Sequence, residues 1–481
     1  MVLNILGKVF LIEAFLLLFP MFVGIYYREN SHIDYLIPIM MLLALGLPLV
    51  MVKTKDKSIY AKEGFVVVAL SWIFMSVFGS LPFILSGAIP SFVNALFETV
   101  SGFTTTGSTV LGDVESLSKS ILFWRSLTHW IGGMGVLVFI LALTSSYSAG
   151  TMHVLRAEAP GPSSDRLVSK LSYTARILYG IYAVLTVVEI IMLKLGGMPL
   201  FDSIVHSFST AGTGGFSLKN NSIAGYNSVY IEMVIAVFMF IFAINFNLFY
   251  LILIGNLKKA LKSEELKTYI ILVVTATVAI AVNILSSCVS FWEAIRYSFF
   301  QVTSISSTTG FITADFDKWP AFSKAVLVLL MMVGACGGST GGGIKVSRMV
   351  IFIKSAFADV RRLINPKAII TTKYEGKFLS KEVERNVRTY FSIWLLIVVV
   401  TTLLLCFDIN DFLVNFTASI TCIGNIGPGL SNAGLQMVGP TFTFMAYSSF
   451  SKVLLSLVML FGRLEIFPML ILFVPRTWKK L

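Results

Sequence analysis

The chain has 481 residues, 56% of them hydrophobic and 13% charged, with a mean hydropathy of +0.85. That balance excludes an ordinary water-soluble globular protein and points to a chain that lives in a lipid bilayer. A formal charge of +12 would suit nucleic acid only if the basic residues shared one surface, and they fall instead in five clusters, at 53–62, 156–176, 258–267, 354–388 and 476–480.

Apolar segments divide those clusters, and the connections between them are short and mixed or acidic. Positive-inside topology produces this alternation. It places both termini and all five clusters in the cytoplasm and leaves no nucleic-acid face. The first apolar segment, about 3–26, is too long for a signal-peptide core and has no small-residue cleavage site, so it reads as a retained span. A second leading helix follows at about 34–52. Four comparable units come next, at about 64–145, 172–255, 266–357 and 388–475. Each reads as an apolar helix, a short half-helix with a polar loop, and a second apolar helix. The half-helices at 94–103 and 291–304 are too short for the roughly 30 Å of hydrocarbon. Hairpins at 93–110 and 200–218 therefore dip into the membrane and return to the same, outer side. The expected fold is an all-α integral membrane protein of ten spans, with four helix–pore hairpin–helix repeats around one pseudo-four-fold pore. Its divisions fall at 1–63, 64–171, 172–265, 266–387 and 388–481.

Each hairpin ends in a small polar run that climbs to a glycine. The runs are Thr104-Thr105-Thr106-Gly107, Ala211-Gly212-Thr213-Gly214, Ser307-Thr308-Thr309-Gly310 and Gly424-Asn425-Ile426-Gly427. Non-helical backbone survives in a membrane only where protein buries it or water bathes it. Four such stretches are most economically placed around one axis, where carbonyls replace the water shell of a dehydrated cation. Glycine at the turn permits φ > 0, and Thr106, Thr213 and Thr309 offer hydroxyl oxygens. None of the runs holds a carboxylate, which favours a monovalent ion such as potassium over a divalent one. A single Thr-Thr-Gly carries little weight, because small residues are common at helix contacts. The four-fold recurrence carries the reading.

The second apolar helix of the third unit is interrupted by Gly334, Cys336, Gly337, Gly338, Ser339, Thr340, Gly341, Gly342 and Gly343, just before Lys345. Six glycines in ten residues, at about 1 kcal/mol each relative to alanine, cannot hold a helix. A phosphate-binding loop is excluded because Ile344 separates Gly343 from Lys345. The break is either a loop lying across the pore or a packing kink. Only this third unit is expected to have a broken second helix. Arg463 lies inside the last apolar segment, where a charge costs about 2.5–3.5 kcal/mol and needs a partner. The free carbonyls of the 334–343 loop, or a carboxylate such as Glu465 or Glu98, are the candidates. Arg125 is expected near the outer end of its helix. His129, His153 and His206 have no ligand spacing for a metal, Cys288, Cys336, Cys406 and Cys422 read as reduced packing residues, and no nucleophilic catalytic set is present, so an enzyme is not expected.

These repeats, the stretch Trp124-Arg125-Ser126-Leu127-Thr128-His129-Trp130-Ile131-Gly132-Gly133-Met134-Gly135 and the glycine-rich segment from Gly334 to Lys345 resemble the Trk/Ktr/HKT superfamily of cation transporters. The resemblance covers nearly the whole chain and is closest in the bacterial TrkH/TrkG potassium-uptake branch, which has two extra leading helices. It implies a selectivity filter at Thr105, Thr106, Gly107, Gly212, Thr213, Gly214, Thr308, Thr309, Gly310, Asn425, Ile426 and Gly427. Potassium is then the transported and filter-bound ion, with no organic cofactor. Plant relatives that prefer sodium carry serine where this chain has Gly107, and the family pattern has glutamine where this chain has His129. The resemblance further implies that the 334–343 loop is a gate latched by Arg463, that the protein is a homodimer in the bacterial inner membrane, and that a cytosolic nucleotide-binding ring (TrkA-like) docks on it. The basic stretch 354–388 is the natural surface for that partner, unless it serves only topology and lipid headgroups. The favoured function is a gated passive pore for potassium uptake; the alternative is a symporter coupled to sodium or protons.

Overall fold

A computed structural model describes residues 2–52, 61–135, 171–368, 370–432 and 437–478. The end of the first unit, expected at 136–145, and His153 lie outside the described residues. Two leading helices, α1 (Val2–Tyr26) and α2 (His32–Met51), pack against each other. They run antiparallel, since Asn4 near the start of α1 donates to the carbonyl of Val50 at the end of α2 (2.7 Å).

The first unit contains α3 (Ala61–Gly79), α4 (Leu81–Leu85), α5 (Phe92–Phe103) and α6 (Lys119–Met134). The second contains α7 (Leu171–Leu195), α8 (Leu200–Ala211), α9 (Val229–Phe242) and α10 (Phe246–Leu253), followed by the short α11 (Leu257–Leu261). The third has α12 (Glu264–Ile284), α13 (Phe291–Ser306), α14 (Ala321–Val333) and α15 (Val346–Ile364). A two-stranded hairpin, β1 (Lys373–Tyr374) and β2 (Lys377–Phe378), links it to the fourth, and pairs Lys373 with Phe378. The fourth unit has α16 (Lys381–Leu405), α17 (Phe412–Gly424), α18 (Ser449–Arg463), α19 (Phe467–Leu470) and α20 (Pro475–Trp478).

The fold is all-α apart from that hairpin, and membrane-spanning. Among the described residues, six helices are long and apolar enough to cross a bilayer, and the pair α9–α10 adds a seventh if its 90° bend is counted as one broken span. The half-helices α5, α8, α13 and α17 have 12, 12, 16 and 13 residues. At 1.5 Å per residue they reach only about 18–24 Å. Large side chains such as Trp72, Trp124, Trp394, Phe97 and Phe103 fill the interior, while Phe15, Phe22, Val278 and Leu403 face outward, as a lipid solvent requires.

The structure corrects the expectation that only the third unit has a broken second helix. In the second unit the helix bends at 243–245, between α9 and α10. In the fourth, α18 stops at Arg463, and Glu465 and Ile466 take φ of 59° and 66°. The reason lies inside the molecule. The breaks of the second and third units turn carbonyl or amide groups toward one shared region, described below, and the break of the fourth leaves the Arg463 side chain reaching the same region.

The leading pair is tied to the first unit by a carboxylate. Glu29, in the turn after α1, accepts from the backbone N–H groups of Lys119 (2.6 Å) and Ser120 (3.1 Å), the first two residues of α6. A side chain distant in sequence thus caps a helix start that no local residue caps. Glu29→Ala is expected to destabilise the protein by about 0.5–2 kcal/mol, the usual worth of an N-cap. A lowered thermal unfolding midpoint of the detergent-purified protein checks this.

Candidate functional site

Each half-helix ends in the same way. The amides of Thr106, Gly214, Thr309 and Ile426 reach back five residues to the carbonyls of Ser101, Ser209, Ser304 and Thr421, at 2.8–3.0 Å. This helix ending needs a left-handed residue just before, and that residue is Thr105, Thr213, Thr308 or Asn425, with φ of 55°, 55°, 64° and 53°. Three are β-branched, for which such a backbone costs about 1–3 kcal/mol each. The turning point therefore does not belong to glycine alone, as expected. Each run has two left-handed positions, and glycine takes the second.

That second position corrects one register. It is occupied by Gly107 (φ 78°), Gly215 (77°), Gly310 (84°) and Gly427 (98°). Gly214, expected as the equivalent glycine of the second run, corresponds instead to Thr106, Thr309 and Ile426. The doublet Gly214-Gly215 permits either register in sequence, and packing selects one.

The four runs then close into a ring. A Cβ built on Gly107 would lie 2.0 Å from the carbonyl oxygen of Gly214. One on Gly215 would lie 2.0 Å from that of Thr309, one on Gly310 2.1 Å from that of Ile426, and one on Gly427 2.7 Å from that of Thr106. Each glycine makes room for the carbonyl of the next run, and the fourth returns to the first. Asn425 strengthens the closing junction by donating to the Thr106 hydroxyl (2.9 Å) and to the Met459 carbonyl (3.0 Å). Three hydroxyls of the runs also have a local partner: Thr106 with Thr104 and Thr309 with Ser307, both at 2.7 Å, and Thr213 with the Gly212 carbonyl.

The loops that follow the runs repeat the same cyclic order. Val114 donates to Asn220 (2.9 Å), Ala224 to Ile312 (3.2 Å), Ser431 to Asp317 (3.1 Å) and Phe444 to Thr109 (2.8 Å). The Asn220 amide beside Asp113 holds that carboxyl below its ordinary range, whereas burial pushes the Asp317 carboxyl up. Behind the first run, Glu98 accepts from Arg125 (2.6 Å), Thr109 (2.9 Å) and the Val110 amide (2.9 Å). Arg125 also lies 3.5 Å over the Phe216 ring. It is buried in the first half of α6, and its partners offset that burial.

The loop 334–343 sits against the half-helix ends of the third and fourth runs. Gly342 donates to the Thr308 hydroxyl (2.7 Å), and a Cβ on Gly341 or Gly342 would meet the carbonyl of Ser307 (2.7 Å) or Gly424 (2.3 Å). The bend between α9 and α10 holds its other side. Cys336 donates to Ala243 (3.1 Å), the Thr340 hydroxyl to Phe242 (3.2 Å), and Phe246 to Gly338 (3.0 Å). Gly334, Gly338, Gly343 and Lys345 take positive φ, and Ser339 caps the turn by donating to Cys336 (2.6 Å). Gly337 is held by Glu265, a residue that sequence reasoning missed.

Arg463 ends α18 rather than lying mid-helix. It donates to the Thr340 carbonyl of the loop (2.8 Å) and to the carbonyls of Gly132 and Gly133 at the end of α6 (2.5 and 2.6 Å). The carboxylates considered for it are engaged elsewhere: Glu98 with Arg125, and Glu465 with Arg348. Lys345 reaches the Gly341 carbonyl. The loop thus touches the second, third and fourth units, and Arg463 links it to the end of α6 in the first. His129 stacks on Phe216 (4.1 Å) behind Gly214, and His206 bonds Ser217 (3.0 Å). No metal-binding group of His, Cys, Asp and Glu occurs among the described residues.

A family profile described as "TrkH: Cation transport protein" matches residues 32–480. The chain belongs to the TrkH family. Its TrkH relatives include the Trk system potassium uptake protein TrkH of Escherichia coli K12, 34% identical over 99% of each chain. TrkG of the same organism is 33% identical over 96% of this chain and 94% of its own. The crystal structure of the potassium transporter TrkH from Vibrio parahaemolyticus matches with a TM-score of 0.89 at 33% identity, over 99% of both chains. A TrkH-family chain is a membrane transporter of cations and not an enzyme.

The ring separates two neighbouring glycines. Gly215→Ala would drive a methyl into a backbone oxygen at a left-handed position. It is expected to cut cation flux in proteoliposomes by roughly tenfold or more, a barrier change of about 1.4 kcal/mol. Gly214→Ala meets the His129 ring at 2.3 Å, so flux lost there should return when His129→Ala is added.

Proposed function

We propose that this protein carries potassium into the cell through a gated, selective pore. The ring of Thr106, Gly214, Thr309 and Ile426 carbonyls packed on Gly107, Gly215, Gly310 and Gly427 carries the reading. Strained backbone held rigidly by its neighbours marks functional sites, and this strain recurs four times around one axis. The four half-helices end at the runs, and the negative ends of their dipoles favour a cation there. With no carboxylate in the runs, neutral oxygens would replace the hydration shell of a monovalent ion. The curated relatives are named potassium uptake proteins, which supports potassium as that ion.

In this reading Thr105, Thr213, Thr308 and Asn425 set the carbonyl direction and the 334–343 loop closes the pore on its inner side. Arg463 latches the loop by its Thr340 contact, and its guanidinium adds a positive barrier to resting flux. The three broken second helices and the second helix of the first unit would complete ten spans with the six long ones. The basic clusters and both termini face the cytoplasm of a bacterium, and inward movement is driven by the membrane potential at about 2.3 kcal/mol per charge per 100 mV. The chain works as a homodimer, and a nucleotide-binding cytosolic ring (TrkA-like) docks on the basic 354–388 stretch.

Bi-ionic reversal potentials on the purified protein test the pore. Currents should reverse at the potassium equilibrium potential with no second ion gradient; a reversal that follows sodium or proton gradients would establish the symport alternative. Shortening the loop within 337–342 should raise resting potassium flux. Arg463→Ala should raise it as well, and a folded Arg463→Ala protein with wild-type leak would dispose of the latch.

A further inference from the structure

The loop 334–343 is also held from the side of the β1–β2 hairpin. One oxygen of Glu265, the second residue of α12, accepts from the amides of Gly337 (2.7 Å) and Ser347 (3.0 Å). These donors flank the turn on both sides, so a single carboxylate ties its two ends together. Glu265 is in turn placed by Glu375 at the hairpin tip. The Glu375 carboxylate accepts from the Ser263 hydroxyl (2.7 Å) and from the amide of Glu265 itself (3.1 Å), and so caps the start of α12 from 110 residues away. The stitching is reciprocal. The Glu375 amide donates to Glu264 (3.3 Å), and Lys354 of α15 bridges Glu264 and the Lys373 carbonyl. Glu375 and Gly376 take the two left-handed positions of a tight hairpin turn, with φ of 49° and 75°. The tip is exposed, while Glu265, which it contacts, is buried.

We propose that Glu265 is the positioning residue of the 334–343 loop and that the hairpin, acting through Glu375, is its release. The proposal rests on the reading of that loop as the gate. Lifting the hairpin from α12 removes the Glu375 acceptor and leaves the helix start only its local Ser263 cap, so the first turn can shift and take the Glu265 carboxylate out of reach of Gly337 and Ser347, since hydrogen bonds fade beyond about 3.5 Å. A partner bound to the exposed tip thus reaches a buried loop through two carboxylates and one helix start.

The test uses the full chain in proteoliposomes and two readouts, resting rubidium flux and the labelling rate of Cys336. This cysteine is free and buried within the loop, and its modification by a small methanethiosulfonate reagent can be followed peptide by peptide by mass spectrometry. Glu375→Ala should raise both by at least about fivefold, the lower end of coupling between sites. Glu265→Gln should do the same, and Glu375→Gln, which keeps one acceptor oxygen, should fall between. Glu264→Gln supplies a second cut in the stitching should Glu375→Ala fail to fold. Faster labelling with unchanged flux would support Glu265 as the positioning residue and remove the gate reading. Wild-type labelling in folded Glu375→Ala and Glu264→Gln proteins would overturn the proposal. If the loop-shortened protein still gained flux, the gate would stand without this release.

Discussion

A backbone amide or carbonyl that leaves a helix inside hydrocarbon has no water to turn to, and each one left unpaired costs several kcal/mol. Almost everything unusual in this chain follows from meeting that demand. The four half-helices end mid-structure, and their last amides fold back five residues to the helix carbonyls. Groups beyond the reach of that device are met by side chains acting as surrogate backbone: Glu98 at Val110, Thr308 at Gly342, Glu265 at Gly337 and Ser347, and Arg463 at Thr340. None of these pairs is local in sequence except the first. Each broken element is therefore completed by another, and the units cannot fold as independent bodies.

The same demand arranges charge. Four helix C-termini converge at the carbonyl ring, and each contributes a partial negative charge. On the loop side lie Lys345, Arg348 and Arg463, opposed by Glu265 and Glu465. Arg348 pairs with Glu465, Lys345 reaches the Gly341 carbonyl, and Arg463 donates to the carbonyls of Thr340, Gly132 and Gly133. Carbonyls offset the desolvation of a cation without cancelling its charge.

Much of this architecture is legible in the sequence because it is written in length and polarity. The leading helices, expected at 3–26 and 34–52, run Val2–Tyr26 and His32–Met51, and the half-helices fall where short apolar stretches meet Thr and Gly. What escapes is written in backbone contacts. The choice of Gly215 over Gly214 depends on the Thr309 oxygen, which leaves no side-chain trace. The bend at 243–245 lies in a segment so apolar that Asn245 and Asn247 are its only warning. Glu29 and Glu265 look like ordinary loop and helix-start acids, and their roles emerge only when a distant amide arrives. Arg463 was legible as a buried charge in need of carbonyls, but its place at a helix end was not, because Leu464 and Ile466 continue the apolar run.

The closing junction of the ring differs from the other three. A Cβ built on its glycine would lie 2.7 Å from the neighbouring oxygen, against 2.0–2.1 Å at the others, and Asn425 joins the two runs with a side chain. All four quarters belong to one covalent chain, so each can change without the others. A ring assembled from identical subunits repeats every substitution around its circumference, with no way to alter one wall alone. Here a single codon adjusts one wall, and the seam between the last quarter and the first is where such drift meets the least steric resistance.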